Sequence, residues 1–443
     1  MARAILTLGL VVVACKEPDG LGPDIFDDVT SSGGTTVSPS TSTTADPETS
    51  SEGTTTAVAD TSTSAPEESS SSSADESSTG EPTTCGNGVV DPGEVCFDPQ
   101  EVLLAAGAGA WDVAVGDYDL DGNLDIATLE ATAETISVRL GDGARGFSEP
   151  ETFAATAQGF RLRAADVDGD DDLDVVAIGV DVTVLNNHDG VLEAVTTGGY
   201  GLFPDQLNDA VLGNINLVDG LDLVHSTTLS MYTQAGIANG DNWEFDTGVP
   251  IFTIDAEGGA GVAIAAWEFD DDEIDDILFL NRESEYAQIL NSNGSGGLQL
   301  FGEAWVCPTG TGAYNAIVGD VDDDGHQDLV VSCSTDDFAV VRGVGDGTFL
   351  PQEYYEVEGA LRLALTDADA DGDTDVLVSA AAAGQLQVWA NDGTGALDRA
   401  VALSLGALVR PVDHGDFDGD GAIDLVTAFT DGGDFTAIYW SDP

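Results

Sequence analysis

From residue 99 onward, short apolar runs alternate with aspartate-rich loops at a steady interval. The clearest loop runs Asp320-Val321-Asp322-Asp323-Asp324-Gly325-His326-Gln327-Asp328, and Leu329-Val330-Val331 follows at once. Six others begin at Asp117, Asp166, Asn214, Glu268, Asp367 and Asp416; in chain order the loops are numbered 1 to 7, with Asp320 opening loop 5. Successive starts are 49, 48, 54, 52, 47 and 49 residues apart, a period that implies repeated supersecondary units.

The flanking runs are short and rich in β-branched residues, as in Val113-Ala114-Val115 before loop 1 and Asp174-Val175-Val176-Ala177-Ile178 after loop 2. Each loop therefore joins two antiparallel strands. A third strand follows, for example Ile136–Leu140, Phe338–Val341 or Leu386–Trp389, then a Gly/Asp turn and a more polar fourth strand. Four antiparallel strands repeated seven times predict an all-β fold, a seven-bladed β-propeller. The last unit lacks an outer strand, and Glu101–Ala105 is expected to supply it and close the ring.

Carboxylates at loop positions 1, 3 and 5 converge when a chain curls tightly, position 7 adds a backbone carbonyl, and glycine at position 6 permits the bend. Five loops fit. Their expected ligand sets are Asp117, Asp119, Asp121, Asn123 and Asp125; Asp166, Asp168, Asp170, Asp172 and Asp174; and Asp320, Asp322, Asp324, His326 and Asp328. The other two are Asp367, Asp369, Asp371, Asp373 and Asp375, and Asp416, Asp418, Asp420, Ala422 and Asp424. All-oxygen ligation with this many carboxylates favours Ca2+ over Mg2+. Loop 2 has Asp171 at the bend, and aspartate tolerates a left-handed backbone better than most residues. Loop 3 has Val218 at position 5 and reads as an empty turn. Loop 4 has Glu273 at the bend and fits a sixth calcium site or an empty turn equally. Strand-like flanks and the absence of glutamate at position 12 exclude EF-hands.

The DxDxDGxxD spacing between strands resembles the FG-GAP/VCBS repeat family, which also builds the integrin α-subunit head, and the resemblance covers residues 99–443. It implies calcium-binding propeller blades. Six residues before each loop start, where the innermost strand enters, the chain has Trp111, Phe160, Asn208, Val262, Tyr314, Leu361 and Arg410. In integrin-like propellers a comparable aromatic ring holds a partner's basic side chain. Trp111, Phe160, Tyr314 and Arg410 are accordingly candidates for ligand binding, and the plainer alternative is that this ring plugs the channel.

The front of the chain differs. Residues 1–14 pair Arg3 with the apolar run Ile5–Ala14, an export signal too short to span a membrane. Val12-Val13-Ala14-Cys15 resembles a bacterial lipobox, which implies a lipid on Cys15 and attachment to the outer membrane or cell surface through that anchor alone. Residues 15–84 are dominated by Ser, Thr, Glu, Asp and Pro and read as a disordered tether. Residues 85–98 form a small module that Cys85 and Cys96 would close outside the cytoplasm. Cys307 and Cys333 fall near strand ends on one face and suit a second disulfide.

The formal charge of −71 excludes a generic nucleic-acid binder. Four histidines in separate units, with no zinc-ligand spacing and no nucleophile elbow, give catalysis little support. The expectation is a monomeric, non-catalytic surface lipoprotein that binds a protein or glycan. The alternative is a calcium-dependent polysaccharide lyase or hydrolase, an activity found on some propellers of this family.

Overall fold

The computed structural model describes residues 14–15, 95–98 and, with short breaks, 102–441; the longest breaks are 198–206, 254–260 and 405–411. The expected tether, Cys85 and Arg410 therefore lie outside the described residues. What is described is strands and turns, with no helix, and none long and apolar enough to cross a membrane.

Among these residues six four-stranded antiparallel sheets and one five-stranded sheet, to which Ala14–Cys15 adds a short edge, form the blades. In blade 1, for example, the order is Ala110–Gly116, Asp125–Glu130, Thr135–Arg139 and Glu151–Ala154, each paired with the next. The first strands of blades 2 to 7 are Arg161–Ala165, Leu207–Gly213, Gly261–Trp267, Ala313–Gly319, Ala360–Thr366 and Val412–Gly415. Blade 7 takes its fourth strand from Val102–Ala105, with Val102 opposite Ile438 and Ala105 opposite Phe435. The chain's front thus completes its last sheet, as the missing outer strand required. Ala14 and Cys15 lie along the free edge of the first strand of blade 4, opposite Ile264 and Ala263.

Each strand's composition follows from its place. Second strands such as Asp125–Glu130, Asp328–Cys333 and Asp375–Ala380 are buried at every residue because both sheet faces meet a neighbouring blade. Hence their apolar runs are continuous rather than alternating. Fourth strands such as Glu151–Ala154 are mostly exposed and polar.

The core is a series of apolar layers between consecutive sheets. Leu129 and Ile136 of blade 1 pack on Leu162 and Val175 of blade 2, and Val176 and Ile178 pack on Ala210 and Leu223 of blade 3. Val211 and Val224 then meet Ile277 and Phe279 of blade 4, and one larger cluster unites blades 4, 5 and 6. Leu377 of blade 6 joins Leu425 of blade 7, and Val426 and Ile438 of blade 7 join Val113 and Ile126 of blade 1. That last contact closes the circuit, so the architecture is a propeller.

Closed rings still leave one edge of every first strand facing the axis. Buried polar side chains satisfy part of it: Asp112 Oδ2 accepts Leu162 N at 3.0 Å, Asn315 Oδ1 accepts Leu363 N at 3.0 Å, and Asp413 Oδ2 accepts Val115 N at 3.0 Å. Each bond crosses from one blade to the next, so edge donors become inter-blade ties. Cys307 and Cys333 are disulfide-bonded with Cα atoms 5.7 Å apart, linking the end of blade 4 to the second strand of blade 5. Cys96 is disulfide-bonded as well.

Candidate functional site

The five loops expected to bind calcium fold alike. Position 1 wraps the loop with both oxygens: Asp117 accepts Asp121 N at 3.1 Å and Gly122 N at 2.9 Å, and Asp320, Asp367 and Asp416 do the same in loops 5, 6 and 7. Position 5 caps position 7: the N–H groups of Asn123, Asp172, His326, Asp373 and Ala422 donate to the carboxylates two residues back at 2.8–3.0 Å. Position 6 is left-handed throughout, with φ of 92° at Gly122, 74° at Asp171 and 98° at Gly372. The aspartate of loop 2 does adopt the glycine conformation.

Position 4 is left-handed too, which the spacing did not reveal. It is glycine in loops 2 and 7, but Leu120 (φ 60°), Asp323 (54°) and Ala370 (56°) hold it elsewhere. For a leucine or alanine that conformation is strained.

The position-9 aspartate has a structural role that the spacing did not reveal. Asp125, Asp174, Asp222, Asp276, Asp328, Asp375 and Asp424 are all fully buried. Asp125 accepts Tyr118 N at 2.7 Å and Gly141 N at 2.8 Å, stapling the loop to the end of the third strand. The same pair of bonds recurs at Asp174, Asp276, Asp328, Asp375 and Asp424. In loop 3, Asp222 accepts Ile215 N at 3.0 Å. Loop 3 thus keeps a staple bond without the acid set, and loop 4 keeps both bonds with Glu273 at the bend. They are also tied together: Asn214 N donates to Asp275 Oδ2 at 2.7 Å, and Asp275 N donates to Asn214 O at 2.9 Å.

Oxygens of Asp117, Asp119 and Asp125 all lie within 4.8 Å of one another, as do those of Asp166, Asp168 and Asp174, of Asp320, Asp322 and Asp328, and of Asp416, Asp418 and Asp424. In loop 6 the close set is Asp367, Asp369 and Asp371. Each group could hold a metal ion. The expected five-membered sets are thus drawn together at positions 1, 3 and 9 in four loops, with the exposed position-5 carboxylate turned to its own backbone cap. Burial, followed by neighbouring carboxylates, pushes Asp119, Asp168 and Asp322 above the usual carboxylate range, and Asp369 to about 7. Burial likewise raises Asp125, Asp328 and Asp375 to about 6 and Asp174 and Asp424 to about 7, against the pull of their backbone bonds. Such sites concentrate negative charge that a hard cation would neutralise.

The candidate channel residues share another feature. Trp111, Asn208, Val262, Tyr314 and Leu361 each fall where the pairing of first and second strands shifts by one residue. A bulge re-aims its side chain, and here it recurs at one position in five blades. Trp111 and Tyr314 are half-buried; Phe160 sits just ahead of its strand, with the Arg161 guanidinium 5.9 Å from its ring centroid. Among the histidines, His326 lies in loop 5, His188 Nδ1 is 3.7 Å from Asp170 of loop 2, and His414 is buried in blade 7.

An all-β propeller with acidic loops at the first hairpin of its blades is the class these features define. The FG-GAP-like repeat matches three times, at residues 268–331, 320–378 and 367–427, each stretch opening at a loop start. Three FG-GAP-like repeats are therefore present in the chain, which supports the FG-GAP repeat family. No curated protein sequence matches it. Among solved structures, a lectin of Agrocybe aegerita, solved for recognition of non-reducing terminal N-acetylglucosamine, is 18% identical, with 70% of this chain and 81% of that chain covered and a TM-score of 0.50. BBS1N in complex with ARL6DN is 11% identical over 77% of this chain and 97% of that one, at a TM-score of 0.50. The periplasmic gluconolactonase of Pseudomonas aeruginosa is 14% identical, covering 72% and 94%, at a TM-score of 0.49. At these identities the likeness to the first two concerns the fold alone.

Proposed function

We propose that the chain is a calcium-stabilised binding protein displayed at the cell surface, without catalytic activity, whose propeller recognises a protein or glycan. The observation that carries this reading is the set of five carboxylate clusters at equivalent places in the blades, joined to FG-GAP-like repeats. Calcium is the ion that fits an oxygen-only, multiply charged donor set. Occupied loops would fix one face of the ring and leave recognition to the other. There, Trp111, Phe160, Tyr314 and Arg410 are the residues to which we assign ligand contact, with aromatic faces suited to a cationic or carbohydrate group.

Export and a lipid on Cys15, with residues 15–84 as a spacer, complete the reading as a lipoprotein of the outer membrane or cell surface. Binding rather than chemistry is supported by the loops themselves, in which the carboxylates at positions 1, 5 and 9 accept the loop's own N–H groups. A fold of this kind does not decide between recognition and catalysis. The test is a glycan and protein array probed with the soluble propeller, with calcium and with chelator. Calcium-dependent capture that Trp111→Ala and Tyr314→Ala abolish supports the reading. Turnover of a captured polysaccharide would replace it with the lyase or hydrolase alternative.

A further inference from the structure

Two of the five loops contain a fixed positive charge. The Arg145 guanidinium, on the third-to-fourth strand turn of blade 1, meets Asp418 of loop 7 through Nε. Its Nη2 lies 3.8 Å from Asp420 and donates to Ser441 O at 3.2 Å, and its plane stands 5.1 Å over the Trp440 ring. Arg342, at the end of the third strand of blade 5, places Nε 3.3 Å from Asp322 of loop 5 and donates from Nη2 to Gly395 O of blade 6 at 2.8 Å. Both arginines therefore grip the position-3 carboxylate of a loop while crossing a blade boundary. Among the described residues, no arginine or lysine forms an ion pair with loops 1, 2 or 6; loop 2 has only the His188 imidazole, which is not a permanent charge.

We infer that the metal loops fall into two affinity classes set by these arginines: loops 1, 2 and 6 bind calcium tightly, and loops 5 and 7 bind it more weakly. The inference rests on the calcium reading above and deepens it. A divalent ion among Asp416, Asp418 and Asp424 would sit one carboxylate away from the guanidinium, and repulsion at that range lowers affinity about tenfold or more. Nε also pairs with an oxygen of Asp418, one of the three carboxylates that draw together in this loop. When the loop lacks an ion, the guanidinium relieves the crowding of acids that calcium relieves elsewhere. Arg145 thereby keeps blade 7 fastened to blade 1, and Arg342 keeps blade 5 fastened to blade 6, at calcium levels too low to fill their loops.

Calorimetric titration of calcium into the metal-stripped full chain is the test. The expected result is three tight sites and a weaker pair separated by about tenfold. Arg145→Gln moves one weak site into the tight class and lowers the melting temperature of the stripped chain. Arg145→Lys, which retains charge but loses the flat fork, leaves the site weak. A purely structural arginine would lower the melting temperature in both variants and raise affinity in neither. Five equivalent sites, or an Arg145→Gln titration identical to the parent, overturns the two-class inference and leaves the calcium reading standing. A stripped chain that takes up no calcium overturns both.

Discussion

Loops 3 and 4 share the buried position-9 aspartate of the other five loops but not their whole sequence pattern. In both groups an aspartate at position 9 is buried and accepts the N–H of position 2, as Asp222 and Asp276 do for Ile215 and Phe269. Loop 3 has Asn214, Asn216 and Val218 at positions 1, 3 and 5, and loop 4 has the acids Glu268, Asp270 and Asp272 there but Glu273 at the bend. The difference separates two jobs that one motif combines: the ninth residue builds the hairpin, and the others make a place for a cation. Loops 3 and 4 are fastened to each other by Asn214 N donating to the Asp275 carboxylate and Asp275 N donating to Asn214 O.

The largest effect should come from removing the staple, in either group. Asp276→Ala and Asp328→Ala each strand two buried N–H groups, a loss of about 2–5 kcal/mol read from the denaturation midpoint. If calcium chemistry were the main role of position 9, Asp328→Ala would cost much in calcium and little in stripped protein. A smaller, calcium-dependent effect is expected at position 1. Asp320→Asn should lower stability by about 1–3 kcal/mol at saturating calcium, the contribution of one lost site, and by much less in the stripped chain.

Acidity should then act oppositely on the two states of the ring. Asp125, Asp174, Asp328, Asp369, Asp375 and Asp424 titrate near 6 or 7 when folded, above the ordinary value near 4. Between about pH 4 and 7 the metal-free folded chain therefore holds protons that the unfolded chain has released, and its stability falls as pH rises. Buried His414, lowered to about 4, pulls the other way but is outnumbered. With calcium the protons are displaced, and stability should instead rise over that window. Melts of stripped and calcium-loaded protein at pH 5 and 7.5 check the crossing. The smallest effect concerns strain: Leu120→Gly should stabilise the stripped chain by up to about 1 kcal/mol, because glycine adopts φ near 60° freely.

Much of this was readable from the residues in order. The loop period gave the blades, the missing outer strand pointed to residues before Ala106, and the places of Cys307 and Cys333 suited their bond. Local geometry was harder. Position 4 is glycine in only two loops, so Leu120, Asp323 and Ala370 offered no sign of a left-handed backbone. The double bonding of position 9 was hidden because ligand and staple require the same residue type. Arg145 and Asp418 are 273 residues apart, and no short-range pattern connects them. The bulge at Trp111 and its equivalents depends on strand register, which the sequence interval located without explaining.

The central proposal is that divalent ions hold the acidic loops. Its most direct test is elemental analysis combined with scanning calorimetry of the stripped chain and the same chain reloaded with calcium. About five calcium ions per chain and a clearly higher melting temperature on reloading are the predicted result. A reloaded chain with no bound metal and the same melt as the stripped one would contradict it.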